Sequence, residues 1–349
     1  MPPINSIEKV LLIGHRAPCA VGRMWRQPTF ARFIKVILMN ILFNASQCGL
    51  GDNGGTKTII RCAETLQDMG HRVQIYAKTN KYTWHKPGVT IKDNDWYGGN
   101  DEFTGAYCWD KEILVSVWEV EQNIKWHRDN LIDHRTRDFW YMRGWEKWVH
   151  GEDWLISQIK KFVSAGGRII VNSSWLMDKL LRMGIDCALC YSGLDLDFWY
   201  VQKQKGWSYI GYLAKGKHGT KHYDICERIH NETALRTIEL EPKLGYSELK
   251  SFYNNCMLWL APTELEGFHQ CPAEANLCGC LVVCNRMPSN GMGDYATDKT
   301  AMRYDTWEEL ISCIENPDFS KVPLMQKVLR EKIGNREDNM RKFIKILED

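Results

Sequence analysis

The stretch MLWLAPTELEGFHQCPAEANLCGCLVVC, residues 257–284, decides how this chain folds. Met257 to Ala261 is an apolar run of strand length, Pro272 to Cys278 reads as a short helix, and Leu281 to Cys284 is a second apolar run. Pro272 suits a first helical turn, where its missing N–H would have no intrahelical partner, and Gly279 suits the residue past the end. The order is strand, loop, helix, strand, and the loop carries Glu266-Gly-Phe-His-Gln-Cys-Pro-Ala-Glu274. On this reading Glu274 lies in the first turn, where free N–H groups and the positive end of the helix dipole face the C-terminal edge of the sheet. That edge suits an anion such as a diphosphate, and two ionised carboxylates flanking it suit the hydroxyls of a polyol. The plainer alternative is a solvated loop carboxylate at Glu266 and a dipole-serving charge at Glu274. The spacing itself does not choose between them.

The same alternation of strand and helix periods extends in both directions. Val36 to Leu42 reads as a strand, and a glycine-rich loop, Cys48 to Gly55, follows it. Thr56 to Met69 carries one apolar stripe at Ile59, Ala63, Leu66 and Met69, Gly70 ends it, and Val73, Ile75 and Ala77 alternate as a strand. Further on come a helix over Asp153 to Val163, a strand over Arg168 to Val171 and a helix over Trp175 to Met183 capped by Ser174. After Trp207 the series is Ser208 to Gly211 (strand), His222 to Ile229 (helix), Thr237 to Leu240 (strand) and Ser247 to Tyr253 (helix). The segment Leu324 to Leu347 reads as helix, with Leu324, Val328, Ile333, Met340, Ile344 and Leu347 as its buried positions. Two α/β blocks meeting near Gly193 to Trp207 account for this better than one sheet of a dozen strands.

Composition excludes more than it assigns. The 349 residues are 44% hydrophobic and 25% charged, average for a globular chain, with a net charge of +2 that gives no global pull toward nucleic acid or anionic membrane. No run approaches the ~18 apolar residues of a membrane span. The thirteen cysteines are an odd number without a disulfide framework, and no secretory leader is evident, so reduced thiols and a cytoplasmic location are expected. Cys187/Cys190 and the group Cys278, Cys280 and Cys284 sit in apolar, strand-like surroundings that do not suit zinc. Asp195-Leu-Asp197 is a DxD pattern that carboxylate-bound Mg²⁺ or Mn²⁺ would use, but it falls in the passage between the two blocks. No metal site is assigned.

Four segments together resemble one family. The block Pro262-Thr-Glu-Leu-Glu-Gly-Phe268 followed by Pro272-Ala-Glu-Ala-Asn-Leu-Cys-Gly-Cys-Leu-Val-Val283 is similar to the Glu-x7-Glu signature of retaining GT-B glycosyltransferases of family four, the group 1 glycosyl transferases. Gly54-Gly-Thr with Leu66-Gln-Asp-Met-Gly-His-Arg-Val73 resembles that family's N-terminal glycine loop, helix and strand entry. Val171-Asn-Ser-Ser174 through Ser192-Gly-Leu-Asp-Leu-Asp-Phe198 resembles its interdomain passage, and Ile210-Gly-Tyr-Leu-Ala-Lys-Gly-Lys217 its lysine loop. The resemblance spans Ile34 to Ala296. It implies two Rossmann-like, doubly wound domains facing across a cleft: an extension over 1–33, an acceptor-side domain over 34–195, a nucleotide-sugar domain over 196–325, and a last helix over 326–349 packing back toward the first domain.

The resemblance also implies roles. Glu266 contacts the donor sugar, and the main chain at Gly267 and Phe268 faces sugar and phosphates. Glu274 holds the nucleotide ribose, Lys217 the diphosphate, and Gly54 and Gly55 let the first domain's backbone approach the donor. Tyr212 stands where the family has an arginine, His218 replaces the glycine after the lysine, and His269 replaces the glycine after the phenylalanine; Lys215 is the candidate for the missing charge. The implied chemistry is transfer of a sugar from a nucleotide-sugar donor to a hydroxyl acceptor with retention, without metal or other cofactor. A fixed cation and oriented N–H donors meet the charge that develops on the departing diphosphate.

Acceptor candidates are less defined. Nine of the fifteen tryptophans fall between Trp84 and Trp154, most densely in Phe139 to His150. Aromatic faces stack on sugars and bases, which makes Trp145 an acceptor-side candidate; equally, large aromatics fill cores. Arg143, as a catalytic candidate, and Glu146 fall about where the family often has a histidine near the reacting centre. His127, His134 and His150 fit no ligand spacing. Acceptors compatible with this are a glycan, a lipid, a small molecule or a modified DNA base, although Glu121 to His150 shows no basic stripe to track phosphates. A non-catalytic sugar or nucleotide module on the same fold is the rival reading. An oxidoreductase is disfavoured because Gly49-Leu-Gly-Asp-Asn-Gly54 matches G-x-G-x-x-G but no acidic residue follows the second strand.

Overall fold

The structure is a computed structural model that describes residues 38–51, 54–81, 83, 85–93, 112–116, 137–145, 151–202, 209–213, 222–233, 235–241, 243–264, 266–286 and 290–349. The extension over 1–33, the three histidines His127, His134 and His150, and six of the nine clustered tryptophans lie outside the described residues.

Two parallel sheets form the frame. The first contains β1 (Asn40–Gly51), β2 (Arg72–Lys81), β3 (Thr90–Asp93), β4 (Glu112–Ser116), β5 (Arg137–Met142), β6 (Arg168–Val171) and β7 (Cys187–Leu189), in the order β3-β2-β1-β4-β5-β6-β7. The second contains β8 (Tyr209–Tyr212), β9 (Thr237–Glu239), β10 (Cys256–Ala261), β11 (Leu281–Asn285) and β12 (Met302–Tyr304), in the order β12-β11-β10-β8-β9. All pairings are parallel, which requires crossover helices and burial of both faces.

Side-chain alternation sorts the helices onto those faces. Phe139 and Tyr141 of β5 enter a core shared with α1 (Gly54–Asp68) and α9 (Arg336–Glu348). Trp140 and Met142 point the other way, against α2 (Glu152–Ser164) and α3 (Ser174–Arg182). In the second sheet Trp259, Ala261, Val282 and Cys284 meet α5 (Tyr246–Asn255), α6 (Gln270–Leu277) and α8 (Lys321–Val328). Leu258, Leu260, Leu281 and Val283 face α4 (Tyr223–Glu232) and α7 (Trp307–Glu315).

Several expectations need correction. β1 begins at Asn40 and runs through the glycine-rich loop to Gly51, with a register shift between Ala45 and Gly49, and α1 starts at Gly54 rather than Thr56. The cap of α3 is Ser173, whose hydroxyl accepts from the Leu176 N–H. Ser174 is instead engaged by Asp294, which accepts from its N–H at 2.9 Å and from its hydroxyl. The C-terminal segment is not one helix. A π-helical turn over Leu329–Ile333 follows α8, Gly334 turns with φ +76°, and Asn335 caps α9 by accepting from the Asp338 N–H at 2.7 Å. Leu324 is exposed, while Met325 and Leu329 take the core positions. Phe343 of α9 then stacks on Phe43 and meets Tyr141 at a tilt, both in the first sheet.

The chain thus passes between the sheets twice, and the two passages are joined: Leu194 donates its N–H to Gly334 O at 3.1 Å and Arg336 donates to Leu194 O at 3.1 Å. Gly193, at φ +68°, makes this approach possible, since a Cβ there would lie 2.4 Å from Arg336 Cα and 2.6 Å from Asn335 O. Gly193→Ala is expected to lower stability by about 2 kcal/mol or more, read as a lower urea midpoint. Gly54→Ala, whose Cβ would meet nothing within 4 Å, serves as the control with little change.

Candidate functional site

Each sheet has one point where the strand order reverses, and ligands of doubly wound folds bind outside the carboxyl ends of the strands there. In the second sheet the reversal lies between β8 and β10. The loop after β10 carries Glu266 and leads into α6, and the loop after β8 leads to α4. His222, at the start of α4, has φ 41° and its Nε2 lies 2.8 Å from Glu264 Oε1, so this pair spans the crevice. In the first sheet the reversal lies between β1 and β4, where Gly54 opens α1.

The two edges meet. Glu266 forms an antiparallel bridge with Gly144, which follows β5. A Cβ on Gly267 would lie 1.9 Å from Arg143 O, and one on Gly291 would lie 1.5 Å from Gly267 O, so three backbone segments pack with no room for side chains. Arg143 is half-buried in this seam and donates from Nη1 to Gly55 O at 2.5 Å. Arg143, Gly54, Gly55, Glu266 and Gly267 are therefore brought together from three separate segments. Phe268 turns its ring inward against Tyr191 and Tyr295. Lys215, Lys217 and Glu146 lie outside the described residues.

Glu274 is placed differently from expectation. α6 begins at Gln270, two residues early, so Glu274 sits at its fifth position, past the first turn. The helix is buried on nearly every side, and the Glu274 side chain is 2% exposed. Its counter-charge comes from the other sheet: Lys57 Nζ of α1 lies 2.8 Å from Oε1 and 2.9 Å from Oε2. The same ammonium stands over the rings of Trp199 at 5.0 Å and Tyr246 at 4.6 Å. Burial by itself would lower the Lys57 ammonium, but the adjacent carboxylate outweighs it and holds it above the ordinary lysine value. For Glu274 burial pushes the carboxyl up, and Lys57 pulls against that.

Trp145 requires a correction. It is fully buried, its indole N–H donates to Glu152 Oε1 at 2.9 Å, and Lys179 Nζ covers its ring at 4.3 Å. No face remains for an acceptor. Trp140 and Tyr141 are buried as strand residues of β5, so this part of the aromatic segment is core.

Asp195 of the DxD pattern is held in an ion pair. Arg336 donates from Nε to Oδ1 and from Nη2 to Oδ2, both at 3.2 Å, and Arg61 Nη2 lies 3.5 Å from Oδ1. Burial would raise the Asp195 carboxyl; the two guanidinium groups outweigh it and hold it below the ordinary carboxylate value. Among the described residues no group of three or more His, Cys, Asp or Glu is arranged to hold a metal ion, and no helix is long and apolar enough to cross a membrane.

Lys57, Arg61 and the His222–Glu264 pair are absent from the sequence reading. Lys57, Arg61 and Glu64 do follow helical spacing opposite Ile59, Ala63 and Leu66, a pattern indistinguishable from an ordinary solvated face.

HepE of Anabaena, solved in complex with UDP and glucose, matches with a TM-score of 0.67 at 12% identity, over 89% of this chain and 99% of that one. Sucrose-phosphate synthase from Thermosynechococcus elongatus matches at 0.63 and 10% identity, over 89% and 98%. A glycosyltransferase from Rickettsia africae matches at 0.63 and 12% identity, over the same shares. The fold is GT-B. No family profile and no curated protein sequence matches the chain. In the GT-B arrangement the seam described above is where the two Rossmann-like halves face each other.

The Asp195–Arg336 pair joins those halves, and its removal has a defined consequence. Asp195→Asn leaves the Arg336 guanidinium buried without its counter-charge and is expected to cost about 3–5 kcal/mol at neutral pH. Because the folded carboxyl is depressed, the native contribution is full above the unfolded value near pH ~4 and is lost as pH falls through the folded value. The stability gap between the variant and the native chain therefore narrows on acidification, measurable by denaturation at a series of pH values.

Proposed function

We propose that the protein is a glycosyltransferase that moves a sugar from a nucleotide-sugar donor to a hydroxyl acceptor with retention of configuration. The observation that carries this is the buried Glu274 carboxylate on α6 beside the strand-order reversal of the second sheet, eight residues after a Glu266 pressed against the first domain. HepE, on the same fold, was solved with UDP and with UDP-glucose, which supports assigning Glu274 to a ribose.

In this reading the donor lies along the C-terminal edge of the second sheet. Glu274 accepts from the ribose hydroxyls, Glu266 binds the sugar, and the backbone at Gly267 and Phe268 faces sugar and phosphates. Lys217 and Lys215 neutralise the diphosphate. Gly54, Gly55 and Arg143 approach from the first domain, and Glu146 is assigned to the acceptor side. As the nucleoside diphosphate departs, negative charge builds on its bridging oxygen; fixed cations and amide N–H groups lower that barrier by about 3 kcal/mol per contact. The acceptor attacks the same face of the sugar that the diphosphate leaves, and the departing phosphate takes the acceptor proton. No protein nucleophile and no metal is needed in this scheme. The acceptor is a glycan, a lipid or another small molecule; a modified DNA base is the least favoured. A cytoplasmic location fits such a soluble donor.

One observation favours a binding module instead. Tyr212 is buried in the second sheet's core and His269 is buried beside Thr263, so neither supplies a cation or a bare backbone at the donor edge. Two measurements separate the readings. Thermal-shift titration with UDP, GDP, ADP and dTDP is expected to raise the melting temperature with at least one of them. Diphosphate release from a donor panel with added acceptors is then expected to fall at least about tenfold in Glu266→Ala and in Lys217→Ala, with the fold retained. Binding without release in the native chain would leave only the module; undiminished turnover in both variants would overturn the site.

A further inference from the structure

Lys57 has a geometry that ordinary surface pairing does not explain. It is a largely buried ammonium, its side chain 12% exposed, on the first domain, and it reaches the one buried carboxylate to which the proposed function gives a ligand. Two of its three N–H donors are committed, one to each oxygen of Glu274, and Trp199 and Tyr246 cover it by their π faces. So held, the ammonium is directed at Glu274.

Glu274 is the reverse case. An ionised carboxylate has about four acceptor positions. Lys57 occupies two, one on each oxygen, and the Tyr253 hydroxyl reaches Oε2 at a long 3.4 Å. Among the described residues no second donor reaches Oε1, and the Tyr253 contact is the one a ligand hydroxyl displaces most easily. A carboxylate arranged in this way can accept from both hydroxyls of a vicinal diol while retaining its lysine. A protonated carboxyl cannot, because one of its oxygens becomes a donor.

We infer that Lys57 is the positioning residue for Glu274: it crosses between the domains to keep this buried carboxylate ionised and aimed, ready for the ribose hydroxyls of a nucleoside diphosphate. The inference rests on the proposed function for the identity of the ligand, but not for the ion pair. The other groups facing the pair are Tyr246 and Tyr253 of α5, Cys271 and Cys278 flanking Glu274 on α6, and Asp195 and Arg336 at the interdomain passage. Tyr246 is pushed up to about 12 by burial, which keeps it neutral at working pH. Asp195 and Arg336 are charged but compensate each other. Lys57 is thus the cation on which the ionisation of Glu274 turns.

The test uses the full chain, its Lys57→Gln and Lys57→Arg variants, and the double variant Lys57→Gln/Glu274→Gln. UDP and ADP affinities are measured from pH 6.5 to 8.5 and expressed as the ratio of variant to native Kd, which cancels the titration of the nucleotide. In Lys57→Gln the carboxyl loses the cation that opposes its burial and is pushed further up, so the Kd ratio is expected to grow about tenfold from pH 8.5 down to 6.5. Lys57→Arg restores a cation and is expected to keep the ratio flat. Melting temperatures without nucleotide give an independent readout. A carboxyl with a raised folded value contributes stability that is present below its unfolded value and lost as pH rises through the folded one. Lys57→Gln is therefore expected to fall further below the native chain as pH rises, and the double variant to lose that slope while still binding nucleotide poorly. A flat Kd ratio and an unchanged melting profile in Lys57→Gln overturn the role of Lys57 and leave the proposed function standing. If the native chain binds neither nucleotide, the ribose assignment falls, and the melting series alone decides whether Lys57 holds Glu274 ionised.

Discussion

The bidentate pair between Arg336 and Asp195 is the constraint on which the rest of the molecule depends. It lies where the chain crosses from one sheet to the other and where it crosses back, and it closes on backbone hydrogen bonds between Leu194 and the Gly334–Arg336 turn. Two buried charges in that position cannot be separated cheaply, because each would be left in a poorly solvated place without its partner. The pair therefore sets where α9 leaves the second half and docks Met340, Phe343, Ile344 and Leu347 into the first core.

With the crossings fixed, the edges of the two sheets confront each other, and their polar groups have to be satisfied across the gap. The backbone does part of this through the Gly144–Glu266 bridge and the close stacking of Gly267 and Gly291. Charged side chains do the rest. α1 turns its apolar stripe to its own sheet and its charged stripe away from it, so Lys57 meets Glu274 beside the second sheet and Arg61 meets Asp195 at the passage between the sheets. Asp294 reaches in the opposite direction to the start of α3 and is itself paired with Lys332 at 2.8 Å. One helix face that looks like a solvated surface is thus packed between the two sheets.

The misplaced expectations share a cause. Trp145 and the strand residues beside it were legible as aromatic, but an aromatic stripe reads alike for a core and for a stacking platform; burial decides, and burial depends on β6, α2 and α3. Glu274 moved past the first turn because α6 starts at Gln270, ahead of the proline that marked its beginning. The final helix was read as continuous because its apolar spacing is helical throughout, whereas Gly334 breaks it to make the return crossing. β3, β4, β7 and β12 are three to five residues long and carry too little periodicity to stand out.

Local sequence alone determined the alternation of strands and helices, the glycine that ends each of several helices, and the strand–loop–helix unit around Glu266 and Glu274, because propensity and periodicity act over a few neighbouring residues. Which charges meet could only be decided by the tertiary structure. Lys57 and Glu274 are separated by more than half the chain, and nothing in the local sequence around either one names the other as its partner. Only the packing of the two halves brings both out of water, and that is what turns a lysine and a glutamate into an ion pair.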